Sequence, residues 1–471
     1  MTAGVRAGSA GSAPVELDLS SGGLAIHLVG IGGAGMSSIA SVLAAMGHRV
    51  SGSDIKESRV VQRLRAEGVH VEIGHRAENL PRRVDVVARS TAIRPGNVEL
   101  QEADARGVPV LSRAELLAAV TKTRRTVAVA GTHGKTTTSS MVTLAFEAAG
   151  LRPAFVIGGE LNEVGSGAGW SDGEWLVLEA DESDGTFLML DREIAVVTSV
   201  EADHLDFFGS EDAIRDAFRE FLVDAEIAVV CIDDAGAASV AEGSGAITYG
   251  TAGAARVRAV EVATRGLGSR FTVSMEGGQT VDVELAVPGI HNVCNATAAL
   301  ACVAAAGGDV PAAAEGLKRF TGVARRFQFR GREAGVVFVD DYAHLPTEVR
   351  MTLEAARAGG WNRIVCAFQP HRYTRTASLW QTFAGAFDAA DVVVVTDVYP
   401  AGEDPIPGVS GRLVFEAAGR NHPTGEVYYA QRRDELVEML LGILRPGDVC
   451  LTLGAGDITE LPDVLMARLG V

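Results

Sequence analysis

The sequence predicts an α/β protein of three successive domains, and three observations carry that reading. Short apolar runs alternate with helix-length segments along most of the chain. Two glycine-rich turns, Gly30–Ser37 and Gly131–Thr138, each stand between such a run and such a segment. At 471 residues the chain exceeds what a single core serves, so roughly three domains of common size are expected. Hydrophobic residues make up 47% and charged residues 22%, the balance of an ordinary globular protein. No apolar run nears the ~20 residues of a membrane span, which argues against membrane insertion. A net charge of −18 opposes non-specific nucleic-acid binding, and anionic ligands then need locally basic pockets. Cys231, Cys294, Cys302, Cys366 and Cys450 form no Cys-x-x-Cys pair and read as reduced core thiols. Residues 1–23, rich in Gly, Ala and Ser without an apolar signal core, read as a disordered tail, and the compartment as cytoplasm.

The first domain, residues 24–122, is predicted to be Rossmann-like. The strand Ala25 to Val29 leads into Gly30-Ile31-Gly32-Gly33-Ala34-Gly35-Met36-Ser37 and a helix to Met46; a second strand, His48 to Gly52, ends at Asp54. Such a βαβ unit resembles a dinucleotide fingerprint, but its turn grips any pyrophosphate, so NAD and a UDP-sugar are both admissible.

The second domain, residues 123–322, is predicted to be P-loop ATPase-like. After the run Thr126 to Val129 come Gly131, Thr132, His133, Gly134, Lys135, Thr136 and Thr137, then a helix to Gly150. Small residues let backbone N–H groups converge on phosphate oxygens, Lys135 supplies a mobile cation, and the Thr136 hydroxyl suits Mg²⁺, which together point to ATP. The turn is a shortened Gly-x-x-Gly-Lys-Thr form, since position 129 is valine. Glu179 closes the apolar strand Trp175 to Leu178, where a hard cation finds a fixed oxygen ligand; Asp181 is expected to face the same side. Glu182 and Asp184 read as a solvated acidic loop. His204, flanked by Asp203 and Asp206, follows the strand Ile194 to Ser199, taken as the neighbour of the Glu179 strand, and is a metal ligand or oriented acid–base group. Three alternating runs near Arg256 to Val262, Arg270 to Met275 and Val281 to Val287 predict a small antiparallel meander. Asn292 or Asn295 caps the next helix, and the other amide suits an adenine edge.

The third domain, residues 323–471, is again Rossmann-like: Val336 to Asp340, Arg363 to Phe368 and Val392 to Thr396 read as strands, Thr347 to Ala358 and Ser378 to Phe387 as helices. Arg325 and Arg326 suit bidentate phosphate recognition. Tyr342 and His344 follow one strand; His371, Arg372 and Arg375 follow another and form a positive pocket for a carboxylate or phosphate.

This ordered series of motifs, from about Leu24 onward, resembles the Mur ligase family of ATP-dependent amide ligases, and Gly30 to Met36 is similar to the form used by its alanine-adding members. The resemblance implies a ligase that joins L-alanine to UDP-N-acetylmuramate through an acyl phosphate. It implies that Gly32, Gly33, Ala34, Gly35, Met36 and Ser37 surround the UDP-sugar diphosphate, with Asp54, His75 and Ser90 as further contacts. Thr136 and Glu179 would ligate one Mg²⁺ and His204 a second, while His291, Asn295 and Arg326 would contact ATP. Tyr342, His344, His371, Arg372 and Arg375 would surround the amino acid, and the third domain would swing onto the second. Where many relatives carry a second histidine this chain has Leu345, and where relatives in the pathway use a carbamylated lysine it has no lysine between Lys135 and Lys318. Monomer and homodimer are both compatible. A nicotinamide-dependent dehydrogenase, the rival reading of the first domain, leaves the ATP turn, the acidic strand end and the arginines unexplained. A non-catalytic nucleotide-binding scaffold is opposed by the presence of Lys135, Glu179 and His204 together.

Overall fold

The computed structural model describes residues 5–6, 16–161, 164–266, 268–420, 422–423 and 425–470. The chain divides into two compact units, one of residues 1–258, 274–281 and 295–316, the other of residues 259–273, 282–294 and 317–471.

In the first unit, a five-stranded parallel sheet runs in the order His70–Ile73, Arg49–Asp54, Ala25–Val29, Val86–Arg89, Val110–Ser112. Ala25–Val29 is buried throughout because helices cover parallel sheets on both faces, so its sequence is apolar except at His27, whose ring meets Ser51 and Glu99. The helix Ala34–Ala45 packs on the strands Ala154–Leu161 and Ser166–Gly169, so the two α/β layers of this unit share one core. Most of the tail expected over 1–23 lies outside the described residues. Within it, Val5–Arg6 pairs with Glu16–Leu17, and Leu17 and Leu19 are buried in the core of the first unit.

The second sheet of this unit has the order Ser166–Gly169, Ala154–Leu161, Trp175–Glu179, Arg125–Ala130, Ile194–Val197, Ile227–Cys231, Ile247–Gly250 and then the start of Val257–Arg265. One expectation is corrected here. Ile194–Val197 does not neighbour the Glu179 strand; both flank Arg125–Ala130, because the chain leaves that strand to one side and later returns to the other. The crossover makes a switch point at the carboxyl ends of three strands.

In the second unit, the meander of Val257–Arg265, Gly268–Ser274 and Thr280–Leu285 is present, with Phe271, Val273, Val283 and Leu285 buried at alternate positions. A six-stranded sheet follows in the order Gln328–Glu333, Val336–Asp341, Asp448–Leu453, Arg363–Phe368, Val392–Thr396, Val427–Ala430, parallel except for the first pair. The helix expected over Ser378–Phe387 is displaced. Tyr373–Leu379 starts directly after Arg372, whose φ of 70° breaks the preceding extended segment, and a single 3₁₀ turn, Trp380–Phe383, ends it. Among the described residues, no helix is long and apolar enough to cross a membrane.

Candidate active site

At the switch point of the first unit, Val129 lies opposite Glu179 and Ala130 opposite Val197, so the phosphate turn, the acidic loop and the Thr198–His204 segment share one edge. Gly131 has φ 135° and Gly134 φ 80°, values costly for residues with a Cβ. A Cβ on Gly131 would also run into Thr198 Oγ1. The turn is latched to the third strand end: His133 N donates to Ser199 Oγ at 2.9 Å, and Glu201 N to Thr132 Oγ1 at 2.9 Å. Thr136 and Thr137, at the start of the helix, are buried.

Lys135 Nζ donates to Gly131 O at 2.6 Å and to Glu182 Oε1 at 2.9 Å. Burial opposes its charge, but Glu182, Glu179 and Asp181 outweigh burial and hold the ammonium above its ordinary value. Glu182 therefore departs from the solvated loop expected of it: its side chain is 4% exposed, and burial raises its carboxyl against the pull of Lys135. Its Oε2 is buried without a partner among the described residues. Asp184 is likewise engaged, accepting from Arg113 Nη2 at 3.2 Å, while Asp181 accepts from Ser183 N within its own loop.

Thr136 Oγ1 donates to Glu179 Oε1 at 3.1 Å, and Gly158 N to Glu179 Oε2 at 2.7 Å. Two hard oxygen donors meeting beside a phosphate turn fit Mg²⁺. His204, with φ 53°, brings Nε2 within 3.9 Å of Glu182 Oε1 and 3.5 Å of Asp203 Oδ2, so the orphaned Glu182 oxygen and His204 suit a second cation. Among the described residues, no three His, Cys, Asp or Glu side chains form a metal cluster by themselves, so phosphate or water oxygens must complete either site. Asn295 Oδ1 accepts from Thr138 Oγ1 at 3.0 Å and lies 3.2 Å from where a Gly134 Cβ would stand. Asn295 is thus the asparagine at the turn.

In the first domain, Gly30 N and Ile31 N both donate to Ser53 O, bending the turn over the sheet's carboxyl edge. Asp54 Oδ2 accepts from Gly32 N at 2.8 Å, so the carboxylate props the turn. The Met36 side chain lies in the core, leaving only its backbone to a ligand; Ser37 is also buried. Gly33 caps the helix without any side-chain hydrogen bond, and Gly35 lies in its first turn, an arrangement that leaves N–H groups for an anion. Ser90 N donates to Val29 O, which puts Ser90 beside Gly30. His75 Nδ1 is 3.0 Å from Ser53 Oγ, which donates to the fully buried Glu99 at 2.6 Å. His75 Nε2 is buried without a partner among the described residues. Glu99 also accepts from Arg76 N and Asn79 Nδ2 and contacts His27; burial opposes its ionisation, yet these hydrogen bonds hold its pKa at about 2.

In the second unit, Tyr342 carries Arg325 at 4.9 Å and Arg326 at 5.3 Å from its ring centre. Arg325 donates to the carbonyls of Gly454, Ala455 and Gly456, so its role is structural. Glu348 accepts from His344 N and Leu345 N, capping the helix Pro346–Ala358 and fixing His344, whose Nδ1 lies 3.1 Å from Tyr342 O. The rings of His344 and His371 are 5.9 Å apart, and His371 stacks on Tyr399 at 5.5 Å. Arg375 Nη1 is 3.3 Å from His371 Nδ1, and Arg372 N donates to Tyr399 O. Burial, then His344 and the neighbouring arginines, lower His371 to about 4. Burial also lowers His344, against Glu348. These imidazoles are neutral at pH 7 beside guanidinium groups. Asp341 accepts from Phe327 N and Ala343 N, and burial lifts it to about 6. His291 belongs to this unit, where burial and then Arg326 lower it to about 4; Asn292 Nδ2 donates to Pro288 O, tying the helix start to the preceding segment rather than capping an N–H group. Sequence reading singled out neither Glu99, in the first turn of the helix Val98–Ala105 behind its cap Asn97, nor Tyr399, just past the strand Val392–Thr396; Asp341, at a strand end, and Glu348, in the first turn of the next helix, lay in the polar segment it read past that strand but received no role.

Three family models match in order: the catalytic domain of the Mur ligase family over residues 25–125, the Mur ligase middle domain over 129–303, and the glutamate ligase domain of the Mur ligases over 325–456. The UDP-N-acetylmuramate–L-alanine ligase of Trichlorobacter lovleyi is 46% identical over 94% of this chain and 98% of its own. That of Saccharopolyspora erythraea is 47% identical over 93% and 92%. The solved structure of the UDP-N-acetylmuramate–alanine ligase from Thermotoga maritima superposes with a TM-score of 0.78 at 29% identity, covering 94% of this chain and 99% of that one.

Proposed function

Because the chain belongs to the Mur ligase family, we infer that it is an ATP-dependent ligase joining L-alanine to the lactyl carboxylate of UDP-N-acetylmuramate in peptidoglycan precursor synthesis. ADP and phosphate are released. The observation that carries this reading is the near end-to-end match to alanine-adding ligases by a chain whose three central strand ends bring Lys135, Thr136, Glu179 and Glu182 together.

The chemistry follows from the groups present. A carboxylate is a poor electrophile, so the γ-phosphoryl group of ATP is transferred to it and the alanine amine then attacks the acyl phosphate, expelling phosphate. Residues 24–122 hold the UDP-sugar, with Gly32 to Ser37 around the diphosphate and His75 and Ser90 beside it. Residues 123–322 hold ATP. The N–H groups from Gly131 to Thr137 and the Lys135 ammonium take its phosphates, and Asn295 lies at the turn. Thr136 and Glu179 would hold Mg²⁺, with Glu182 and His204 for a second ion; bound there, Mg²⁺ neutralises charge on the phosphoryl oxygens. Residues 323–471 hold alanine. Arg375 offers a fork to its carboxylate, while the neutral imidazoles of His344 and His371 accept hydrogen bonds from its amine side. Tyr342, Arg326 and Arg372 border this cluster. The reaction takes place in the cytoplasm, the compartment of both nucleotides.

Phosphate release from ATP with UDP-N-acetylmuramate tests this, measured with alanine, glycine, serine or no amino acid. Alanine-dependent release is expected. Release that ignores the amino acid, or none with alanine, overturns the reading.

A further inference from the structure

Arg113 opens the helix Arg113–Thr121, where Ser112 and Glu115 form a capping box. A cation at a helix start opposes the macrodipole, so an anion must compensate it. One does: Nη2 donates to Asp184 Oδ2 at 3.2 Å, with the arginine side chain 20% exposed. The same guanidinium lies on the glycine turn of the first domain. A Cβ on Gly35 would stand 3.3 Å from Nη1 and 3.4 Å from Cδ, so glycine at this position leaves room for the arginine. Gly35 belongs to the first turn of the helix Ala34–Ala45, which carries no acid there and whose N-cap makes no side-chain hydrogen bond. Among the described residues the one ion pair of Arg113 is with Asp184. The result is a guanidinium edge beside uncapped N–H groups, positive against positive, a juxtaposition that an intervening anion relieves.

Resting on the proposed function, we propose that Arg113 is a binding residue for the diphosphate of the nucleotide sugar. Its Nη1 edge takes a phosphate oxygen while Nη2 stays on Asp184, which orients the fork. Asp184 lies two residues after Glu182, so the same side chain touches the sugar-nucleotide turn and the loop that faces Lys135. A residue that served only as a strut between two loops would not distinguish ligands with phosphate from those without.

The test compares UDP-N-acetylmuramate, UDP and uridine, the first two by calorimetry and uridine by ligand-observed NMR, on the full chain without ATP. Arg113→Met is expected to weaken UDP and UDP-N-acetylmuramate about tenfold or more and to leave uridine unchanged, the loss of one charge-assisted hydrogen bond. Arg113→Lys should recover part of the loss, and it carries the test if the methionine variant fails to fold. Asp184→Asn should weaken UDP less than Arg113→Met, since the fork survives. Equal losses for UDP and uridine, or no loss for UDP, overturn the role of Arg113. Failure of the unaltered protein to bind UDP-N-acetylmuramate instead overturns the proposed function, so the two failures are distinct.

Discussion

Lys135 shows how one side chain answers to stability and to chemistry at once. Its ammonium is buried on Glu182 and on the carbonyl of Gly131, so removing it leaves a buried carboxylate without its counter-charge. Lys135→Ala is expected to lower turnover about 10³-fold, the scale of losing a fixed donor to a developing oxyanion, and to cost ~3 kcal/mol of stability. Adding Glu182→Gln should restore much of the melting temperature but none of the phosphate release. Recovery of activity in the double variant would contradict the role of Lys135. Glu99 makes a pH prediction. Its folded pKa of about 2 lies below the ordinary 4.5, so its contribution is fully present above about pH 5 and is lost as pH falls toward 2. The shift corresponds to about 3 kcal/mol at neutral pH for this fully buried group. Glu99→Gln should therefore lower denaturant stability at pH 7 by about 2 kcal/mol and make it less steeply dependent on acid. Parallel pH profiles for the two proteins would remove Glu99 from that account.

At the scale of elements, Glu179 is positioned less by its own strand than by the neighbour on the far side. Ala154–Leu161 runs beside Trp175–Glu179, and Gly158 N holds Glu179 Oε2 at 2.7 Å. A Cβ at Gly158 would come within 2.7 Å of Glu179 Oε1. Gly158→Ala changes no functional group, yet it should displace the carboxylate and raise the Mg²⁺ concentration for half-maximal rate about tenfold, with the apparent affinity for alanine unchanged. Superimposable Mg²⁺ titrations would show that the strand does not set this carboxylate. The sequence identified the Glu179 strand and the acid but not the strand Ala154–Leu161; that a glycine across the sheet holds the carboxylate depends on a register that no local pattern displays.

Over the whole molecule, the five cysteines are free and buried, and burial raises Cys302 and Cys366 and pushes Cys450 up to about 12. Cys231 and Cys302 lie in the first unit, and Cys294, Cys366 and Cys450 in the second, the last two on strands of its six-stranded sheet. A thiol reagent should therefore leave the native protein unmodified at pH 7.5 and label all five only as it unfolds. Rapid native labelling of any one would show that its unit opens locally. Reducing agent should leave the melting temperature unchanged, as reduced core thiols require.

The sequence by itself determined the α/β class, the phosphate turn, the meander and the clustering of charged groups past strand ends, because each follows from a local rule. Continuous apolar runs mark covered parallel strands, glycine marks positive φ, and in open sheets polar chemistry collects at the carboxyl edge. Tertiary structure alone decided the partners. It buried Glu182 against Lys135, 47 residues away, and turned Asp54 into a prop for Gly32. It put Met36 in the core, chose Asn295 over Asn292 for the turn, stacked His371 on Tyr399 and joined Arg113 to Asp184, 71 residues apart. A period of two or 3.6 residues states which face a side chain occupies, but the neighbour it meets there is set by strand order and register, which arise only when distant segments pack.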